Sequence, residues 1–303
     1  MATVGIVGLG LLGSAVAGRL RAAGHEVVGY DIVDARVQAL VAMGGRAEPS
    51  VEAVARASDA VCVVLPSLAS VEEVVLGPRG LAAAGRAGQT LIQMSTISPS
   101  LTERLAREVG AKGLAFLDCP ISGTSGMVAR GDGIILVGGE RSVFDRWRSV
   151  LESVLPRAVY IGRPGQAMVL KLVANLLIAL HSAAAAEALL LAKRGGLDLG
   201  LVLDVLTKSA ATSRMLEVRG PLMAAAEFPP QMKLDLFMKD LHLIQDAARQ
   251  AGAPLPLTDV AERLYARAMA DGHAGEDLAV VLTALEASRA EEGGARRAGD
   301  TGG

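Results

Sequence analysis

Aromatic residues, cysteines and clustered basic residues are scarce in this chain of 303 residues. Phe, Trp and Tyr together make up 3% of the sequence, and there are two cysteines, Cys62 and Cys119. Both lie in apolar runs, which favours small buried residues in a reducing compartment over a disulfide. The 30 basic and 32 acidic residues give a net charge of −2 without a basic tract, so nucleic acid is not an implied partner.

The sequence also lacks the usual signals for export and membrane insertion. Its start leads directly into an apolar strand pattern, without the basic segment and cleavage site of a signal peptide. The run most like a membrane span is residues 172–186, which includes Asn175, His181 and Ser182. A spanning helix needs roughly 20 apolar residues, so we interpret this shorter run as a buried core helix. We expect a cytoplasmic protein with no membrane partner.

Short β-rich runs alternate with alanine-rich helical patterns in the first half of the chain. The candidate strands are residues 3–7, 26–30, 60–65, 90–94, 115–118 and 134–138. They lack a regular alternation of apolar and polar residues, as is typical of parallel strands that are buried on both faces. The pattern therefore predicts an α/β fold with a doubly wound parallel sheet.

The pattern changes after Gly165, where only helices are predicted. A long helical pattern covers residues 168–194 and ends at Gly195-Gly196. Further helices are predicted at residues 199–209, 213–226, 232–251, 257–270 and 276–290, with the second of these interrupted at Gly220-Pro221. Because Pro and Gly punctuate the chain at Arg163-Pro164-Gly165, we expect domains at residues 1–163 and 164–292, with a flexible tail at 293–303.

The most informative stretch is the glycine-rich sequence GLGLLG, directly after the first predicted strand. In such a G-x-G-x-x-G pattern, the first glycine permits a tight turn, the second admits a pyrophosphate and the third lets helix and strand pack closely. The helix that begins here would offer free N–H groups to the phosphates. The pattern predicts a dinucleotide-binding loop of Gly8, Leu9, Gly10, Leu11, Leu12 and Gly13.

A carboxylate follows this loop at a suitable distance. Asp31 comes directly after the second predicted strand, 18 residues after Gly13, and an acidic residue near this position accepts hydrogen bonds from a ribose 2′-hydroxyl. It would repel the 2′-phosphate of NADP, and Arg36 lies within a helical pattern, so we predict NAD as the cofactor. The alternative is an ordinary βαβ start with a solvated Asp31.

Turn-forming and polar residues follow the later strands. Ligands of open α/β sheets bind beyond the carboxyl ends of the strands, where Leu65-Pro66 and Thr96 fall; the alternative for Leu65-Pro66 is a plain turn. Ser98 is expected to cap the next helix, with Pro99 at its first position, and Thr96 to contact a ligand. The loop Ser122-Gly123-Thr124 can present N–H groups and a hydroxyl to a carboxylate.

Lys171 and Asn175 lie four residues apart at the head of the long apolar helix, so they share one of its faces. A lysine in this position either has a specific place in the interior or extends its ammonium group to solvent. In isolation, the residues favour the lysine that reaches solvent.

Taken together, these motifs resemble the β-hydroxyacid dehydrogenase family, which includes 3-hydroxyisobutyrate dehydrogenase and tartronate semialdehyde reductase. The resemblance covers residues 1–290 and rests on six ordered motifs: GLGLLG at 8–13, LPS at 65–67, STISP at 95–99, DCPISG at 118–123, GxxG…KLVAN at 162–175 and FMKDLHL at 237–243. It implies a Rossmann domain joined by a long interdomain helix to an all-helical domain, in a homodimer or homotetramer.

The resemblance also implies roles for single residues in catalysis and substrate binding. Lys171 matches the catalytic lysine of the family, and Asn175 matches the asparagine that holds substrate and lysine in place. Ser122 and Gly123 match the loop for the substrate carboxylate, in which Thr124 replaces a second glycine. The implied ligand is therefore a small carboxylate, and no metal ion is implied.

Further residues match positions that contact the cofactor in the family. Lys239 matches the lysine of a KDL motif that closes over the cofactor, and Leu65, Pro66 and Thr96 match other contacts. Met232 occupies a position that is commonly aromatic, so substrate identity is left open.

The implied activity is hydride transfer between a nicotinamide and a small β-hydroxy acid or its semialdehyde. Other interpretations are a non-catalytic dinucleotide-binding protein, a relative that reduces imines, and a 6-phosphogluconate enzyme. Lys171 together with Asn175 argues against the first two, and the chain is short for the larger helical domain of the third.

Overall fold

The computed structural model describes residues 1–287, and the predicted tail at 293–303 lies outside the described residues. The chain divides into two compact units, Met1–Lys171 and the residues from Leu172 onward. The division falls within a long helix.

The first unit alternates strands and helices. Its strands are β1 Thr3–Val7, β2 Glu26–Tyr30, β3 Arg46–Ala47, β4 Ala60–Val63, β5 Thr90–Gln93, β6 Ala115–Asp118, β7 Ile121–Ser122, β8 Ile134–Gly139 and β9 Ala158–Gly162. Its helices are α1 Leu11–Ala22, α2 Asp34–Ala42, α3 Val51–Ala57, α4 Leu68–Leu76, α5 Leu81–Ala84, α6 Pro99–Ala111, α7 Ser125–Ala129 and α8 Arg141–Val154.

The strands form a single sheet whose parallel part has the order β3-β2-β1-β4-β5-β6. This is the strand order of a Rossmann fold, so the predicted doubly wound sheet is confirmed. The register pairs Val7 with Val63, Val63 with Gln93, and Gln93 with Asp118. The loops that follow β1, β4, β5 and β6 therefore leave the sheet side by side at one edge.

The remaining strands extend the sheet beyond β6. Strand β8 runs antiparallel to β6 and β7, while β9 runs parallel to β8. The sequence analysis missed β3, β7 and β9. The first two contain two residues each, too few to show a periodic pattern, and β9 exposes Val159 at the surface.

Helices cover both faces of this sheet because the strands are apolar on both sides. On one face, Leu20 of α1 and Phe144 of α8 pack with Ile6 and Ile92. On the other face, helices α4 and α6 pack with Val7 and Leu91 of the sheet. Full burial of each such side chain stabilises the fold by roughly 1.5–3 kcal/mol.

The second unit contains the all-helical domain that the sequence predicts. Its helices are α9 Gln166–Arg194, which starts in the first unit, α10 Leu199–Leu206, α11 Arg214–Ala225, α12 Leu234–Ala251, α13 Pro256–Ala270 and a last helix Leu278–Ala287. Within residues 1–287, α9 alone is long and apolar enough to cross a membrane by length and composition. A core helix of a soluble protein also meets these criteria.

The predicted interruption at Gly220-Pro221 is wrong. Helix α11 continues through Pro221, although proline removes a backbone donor. Packing explains this result, because Gly220 lies so close to α10 that a Cβ there would be 2.5 Å from Leu203 Cδ2. The neighbouring Arg219 is also fixed, since its Nε donates a hydrogen bond of 2.9 Å to the buried Asp277. These tertiary contacts override the local preference of proline.

Candidate functional site

The packing around the three glycines of the loop differs from one glycine to the next in the way that their spacing predicts. A Cβ on Gly8 would lie 2.1 Å from the Val64 carbonyl oxygen, and a Cβ on Gly13 would lie 2.0 Å from the Gly8 oxygen. A Cβ on Gly10, in contrast, would meet no atom within 4 Å. The outer two glycines therefore permit close packing within the protein, whereas Gly10 leaves room for a pyrophosphate.

The leucines of the loop take different positions. Leu9 is buried in the core, Leu12 packs against it, and Leu11 is exposed. Gly10 precedes α1 without providing a side-chain cap for the helix. The N-terminal N–H groups of α1 are thus suited to an anion.

Asp31 is buried beside this loop and is held by backbone groups. Its Oδ2 accepts a hydrogen bond of 2.7 Å from the Leu9 N–H, and its Oδ1 accepts one of 2.9 Å from the Val33 N–H. Arg36 Nη1 lies 3.4 Å from both carboxylate oxygens. A carboxylate has about four acceptor sites, and the two long contacts from the half-exposed Arg36 are the ones that a ribose hydroxyl would replace.

Two neighbouring loops of the same sheet edge are joined by Ser95. Its hydroxyl accepts a hydrogen bond of 2.8 Å from the Leu65 N–H, and this bond connects the loop after β4 with the loop after β5. Thr96 follows and is half-buried. Ser98 Oγ accepts from the Leu101 N–H and Pro99 begins α6, so the predicted cap is confirmed.

The predicted carboxylate loop begins in β7 and ends at α7. Ser122 is the last residue of β7, and Gly123 and Thr124 connect it to the helix. Thr124 Oγ1 accepts a hydrogen bond of 3.3 Å from the Met127 N–H and thereby caps α7. This bond occupies a lone pair of Thr124 and leaves its O–H group as a donor.

Lys171 does not reach solvent. The interpretation favoured by the residues in isolation, a lysine that extends to solvent, is therefore wrong. Lys171 is 6% exposed and lies in the second turn of α9. Burial of a lysine requires specific interactions, because an ammonium group loses its hydration. Asn175, one turn further along, is also buried.

Asn175 is fixed by a residue that the sequence analysis did not select. Its Nδ2 donates a hydrogen bond of 2.7 Å to Asp240 Oδ2, and Asp240 is itself buried. Lys239 Nζ lies 3.4 Å from Asp240 Oδ1. The clue in the sequence is that Asp240 directly follows Lys239 in the FMKDLHL motif.

Neither of the two cysteines provides a reactive thiol. Cys62 and Cys119 are free and buried. Burial raises the pKa of Cys62 to about 12 and raises the pKa of Cys119 as well. Buried, protonated thiols are poor nucleophiles. Within residues 1–287, no group of three or more His, Cys, Asp or Glu side chains is placed to hold a metal ion.

Two protein families match successive parts of this chain. Residues 3–162 match the family described as the NAD binding domain of 6-phosphogluconate dehydrogenase. Residues 165–285 match the family described as NAD-binding of NADP-dependent 3-hydroxyisobutyrate dehydrogenase.

Similarity to individual proteins extends over almost the whole chain. The 2-(hydroxymethyl)glutarate dehydrogenase of Eubacterium barkeri is 33% identical, with 93% of this chain and 94% of that protein covered. The 2-hydroxy-3-oxopropionate reductase of Escherichia coli is 33% identical, with 93% and 97% covered. A crystal structure of 3-hydroxyisobutyrate dehydrogenase from Salmonella typhimurium is 32% identical, with a TM-score of 0.83 and coverage of 93% and 99%.

Proposed function

The chain belongs to the β-hydroxyacid dehydrogenase family and is an oxidoreductase that acts on small hydroxy acids, and we propose that it uses NAD and Lys171 to do so. The observation that carries this proposal is the burial of Lys171 in α9, one turn before the fixed amide of Asn175. Burial is typical of lysines that carry a proton in catalysis, because it favours the neutral amine.

The names of the three relatives indicate a common substrate class. In 3-hydroxyisobutyrate and 2-(hydroxymethyl)glutarate, a CH₂OH group is attached to the carbon next to a carboxylate. In 2-hydroxy-3-oxopropionate, an aldehyde occupies that position. We therefore propose a substrate with a primary alcohol β to a carboxylate, or the corresponding semialdehyde. The substituent on the intervening carbon is left open.

The residues of the chain would act on this substrate in three ways. Ser122 and Gly123, with Thr124 beside them, would bind the carboxylate through N–H and hydroxyl groups. Lys171 would take the hydroxyl proton in oxidation and return it to the carbonyl oxygen in reduction. Acid–base help of this kind contributes roughly 10²–10⁴-fold to a rate. Asn175 would orient the substrate and Lys171. The nicotinamide, when bound, supplies or accepts the hydride.

The residues at the dinucleotide loop favour NAD over NADP. Gly8, Leu9, Gly10, Leu11, Leu12 and Gly13 would bind the pyrophosphate, with Leu65, Pro66 and Thr96 at neighbouring loops and Lys239 closing over the cofactor. The carboxylate of Asp31 would accept hydrogen bonds from the ribose 2′-hydroxyl. A 2′-phosphate at that position would face a negative charge that is already buried.

We further propose a homodimer or homotetramer in the cytoplasm. Within the second unit, Val173 and Leu177 of α9 and Leu201 and Val205 of α10 are exposed. Val173 and Leu177 lie four residues apart and share one face of α9, and exposed apolar side chains that share a face are typical of protein interfaces. The proposed domains are residues 1–163 and 164–292, with a tail at 293–303. Light scattering on the purified protein would measure the assembly.

A substrate panel tests the proposed function. The purified protein would receive NAD or NADP together with 3-hydroxyisobutyrate, D-glycerate, 4-hydroxybutyrate, L-serine, L-threonate or 3-hydroxypropionate. Absorbance would report formation of the reduced cofactor. We expect NADH formation with an acid that has its alcohol β to the carboxylate, and no comparable rate with 4-hydroxybutyrate, whose alcohol is one carbon further away. Binding of NAD without turnover of any acid would favour a non-catalytic protein.

A further inference from the structure

Asp118 is a fully buried carboxylate at the end of β6 that serves none of the roles described above. Its backbone belongs to the sheet, where it pairs with Gln93 of β5 and Gly138 of β8. Its side chain, however, is 0% exposed and carries a group that favours water. Burial of a carboxylate is costly unless hydrogen bonds compensate it. The partners of this carboxylate therefore indicate what it does.

Those partners belong to the start of α9. Asp118 Oδ2 accepts hydrogen bonds of 3.0 Å from the Gly165 N–H and 3.1 Å from the Met168 N–H. Its other oxygen, Oδ1, has no hydrogen-bond partner among the described residues. The hydrogen bonds of this side chain thus all go to one helix. Gly165 has no side chain to cap α9, and a carboxylate from the sheet takes that role.

Two glycines make this arrangement possible. A Cβ on Gly138 would lie 2.8 Å from the Arg163 carbonyl oxygen and 3.4 Å from Ala167 Cβ, so the absence of a side chain there lets α9 approach β8. Gly165 has φ +89°, and a Cβ there would lie 2.9 Å from Glu103 Cγ. The first turn of α9 is therefore confined between α6 and the sheet.

Lys171 lies one turn beyond this attachment. Met168, whose N–H donates to Asp118, precedes Lys171 by three residues, and both are buried in α9. A helix transmits the position of one turn to the next because its backbone hydrogen bonds link them. We infer that Asp118 is a positioning residue, which attaches the first turn of α9 to β6 and thereby places the amine of Lys171. The inference rests on the proposed role of Lys171 as the proton carrier.

Three variants separate positioning from a general loss of stability. Asp118→Ala removes both hydrogen bonds. Asp118→Asn keeps an oxygen that can accept them, and is expected to preserve the attachment. Asp198→Ala is the matched control, because Asp198 follows the C-terminal end of α9 and its Oδ1 caps α10 by accepting a hydrogen bond from the Leu201 N–H. The single tryptophan, Trp147, donates to Thr90 of β5, and its fluorescence checks that the sheet has folded.

The first readout is chemical and does not depend on turnover. Trace labelling with acetic anhydride, followed by peptide mass spectrometry, measures the reactivity of Lys171 relative to Lys193, which is exposed in the last turn of the same helix. We expect the Lys171-to-Lys193 ratio to rise severalfold in Asp118→Ala and to stay unchanged in Asp118→Asn and Asp198→Ala. An unchanged ratio in folded Asp118→Ala would overturn the inference.

The second readout is kinetic. We expect kcat to fall about 10²-fold in Asp118→Ala, the loss that a displacement of about 1 Å can cause. The dissociation constant for NAD and the kcat of Asp118→Asn should change little. A wild-type kcat in Asp118→Ala would contradict positioning. If the wild type turned over no acid, the proposed function would fail, and the labelling ratio would still decide whether Asp118 places Lys171.

A second route to the same displacement covers the case in which Asp118→Ala does not fold. Gly165→Ala would strain the left-handed backbone and press a Cβ against Glu103, while Asp118 stays intact. We expect the same rise in the labelling of Lys171, with Lys193 unchanged. Wild-type labelling in this variant would contradict the inference that the attachment of the first turn of α9 determines the position of the Lys171 amine.

Discussion

The side-chain amide of Asn175 is held by Asp240, whose Oδ2 accepts a hydrogen bond of 2.7 Å from Asn175 Nδ2. Both side chains are buried, and they lie 65 residues apart in the sequence. Because the amide group is held through its nitrogen, its oxygen has a defined direction. Lys239 Nζ lies 3.4 Å from the other oxygen of the same carboxylate. Asp240 therefore connects the asparagine of α9 with the lysine of α12.

Loss of this hydrogen bond should impair catalysis as well as folding. A hydrogen bond to a charged group contributes about 1.5–3 kcal/mol, so we expect Asp240→Ala to lower kcat/KM by roughly 10- to 100-fold. Asp240→Asn should lose less, because its amide oxygen can still accept. Asp246→Ala is the control, since Asp246 is exposed on the same helix and pairs with Arg249. Equal kcat/KM values for Asp240→Ala and the control would refute this role.

Asp31 should determine the choice of cofactor. Asp31→Asn removes the negative charge that would repel a 2′-phosphate, so we expect the ratio of kcat/KM with NADP to that with NAD to increase on the order of tenfold or more. Arg36, 3.4 Å away, would then be released to attract the phosphate. Asp34→Asn is a suitable control, because Asp34 is exposed in the first turn of α2. An unchanged ratio in Asp31→Asn would argue against the assignment of NAD.

The buried ion pair of the second unit should be important for stability. Arg219 Nε lies 2.9 Å from Asp277 Oδ1, and Asp277 also accepts from the N–H groups of Gln231, Met232 and Ala279. Removal of one partner of a buried pair costs about 3–5 kcal/mol. We expect Asp277→Ala to lower the free energy of unfolding by this amount, as measured by urea denaturation and circular dichroism.

A control for this measurement is the exposed pair of Arg267 and Asp271 on the surface of α13. Solvent screens such a pair, so Asp271→Ala should change the free energy of unfolding little. If Asp277→Ala were as stable as Asp271→Ala, the buried pair would have no special importance for the helical unit.

Asp118 should give stability a distinct pH dependence. Burial raises its pKa to about 7, although the hydrogen bonds from Met168 and Gly165 act in the opposite direction. Between its ordinary pKa and this value, the folded protein binds the proton more tightly than the unfolded chain does. The contribution of Asp118 to stability is therefore largest at low pH and declines as the pH rises toward 7.

This decline can be measured by comparing the wild type with Asp118→Asn, which cannot ionise at this position. We expect the free energy of unfolding of the wild type, relative to that of Asp118→Asn, to fall between about pH 5 and about pH 8. Over this range the carboxyl group of Asp118 loses its proton in the folded protein. Urea denaturation at both pH values gives the difference. A relative stability that rises over this range would mean that the pKa of Asp118 is lowered rather than raised.

The sequence allowed much of the fold to be predicted because local patterns determine it. The strands Thr3–Val7, Glu26–Tyr30 and Ala115–Asp118 have the predicted bounds, and the glycine spacing marks the loop after β1. Strands β3 and β7 could not be predicted, since two-residue strands form only where a neighbouring strand pairs with them. Helix α11 likewise passes through Pro221 because of packing that no local pattern reveals.

The candidate site was predicted residue by residue, but its supporting contacts were not. Lys171 taken alone favours a lysine that reaches solvent, and only the folded chain shows its burial. Asp240 and Asp118 act on residues 65 and about 50 positions away along the chain. Such long-range partners follow from the tertiary structure, whereas the motifs identify only the residues that carry the chemistry.

The role of Lys171 is the central claim, and the pH dependence of turnover tests it most directly. Oxidation requires the neutral amine, so kcat for NADH formation should rise with pH in the wild type. In Lys171→Ala, we expect kcat to fall by roughly 10²–10⁴-fold and this rise to disappear, while Lys193→Ala, at the exposed end of the same helix, behaves as the wild type. Turnover by Lys171→Ala near the wild-type rate would contradict the proposed mechanism.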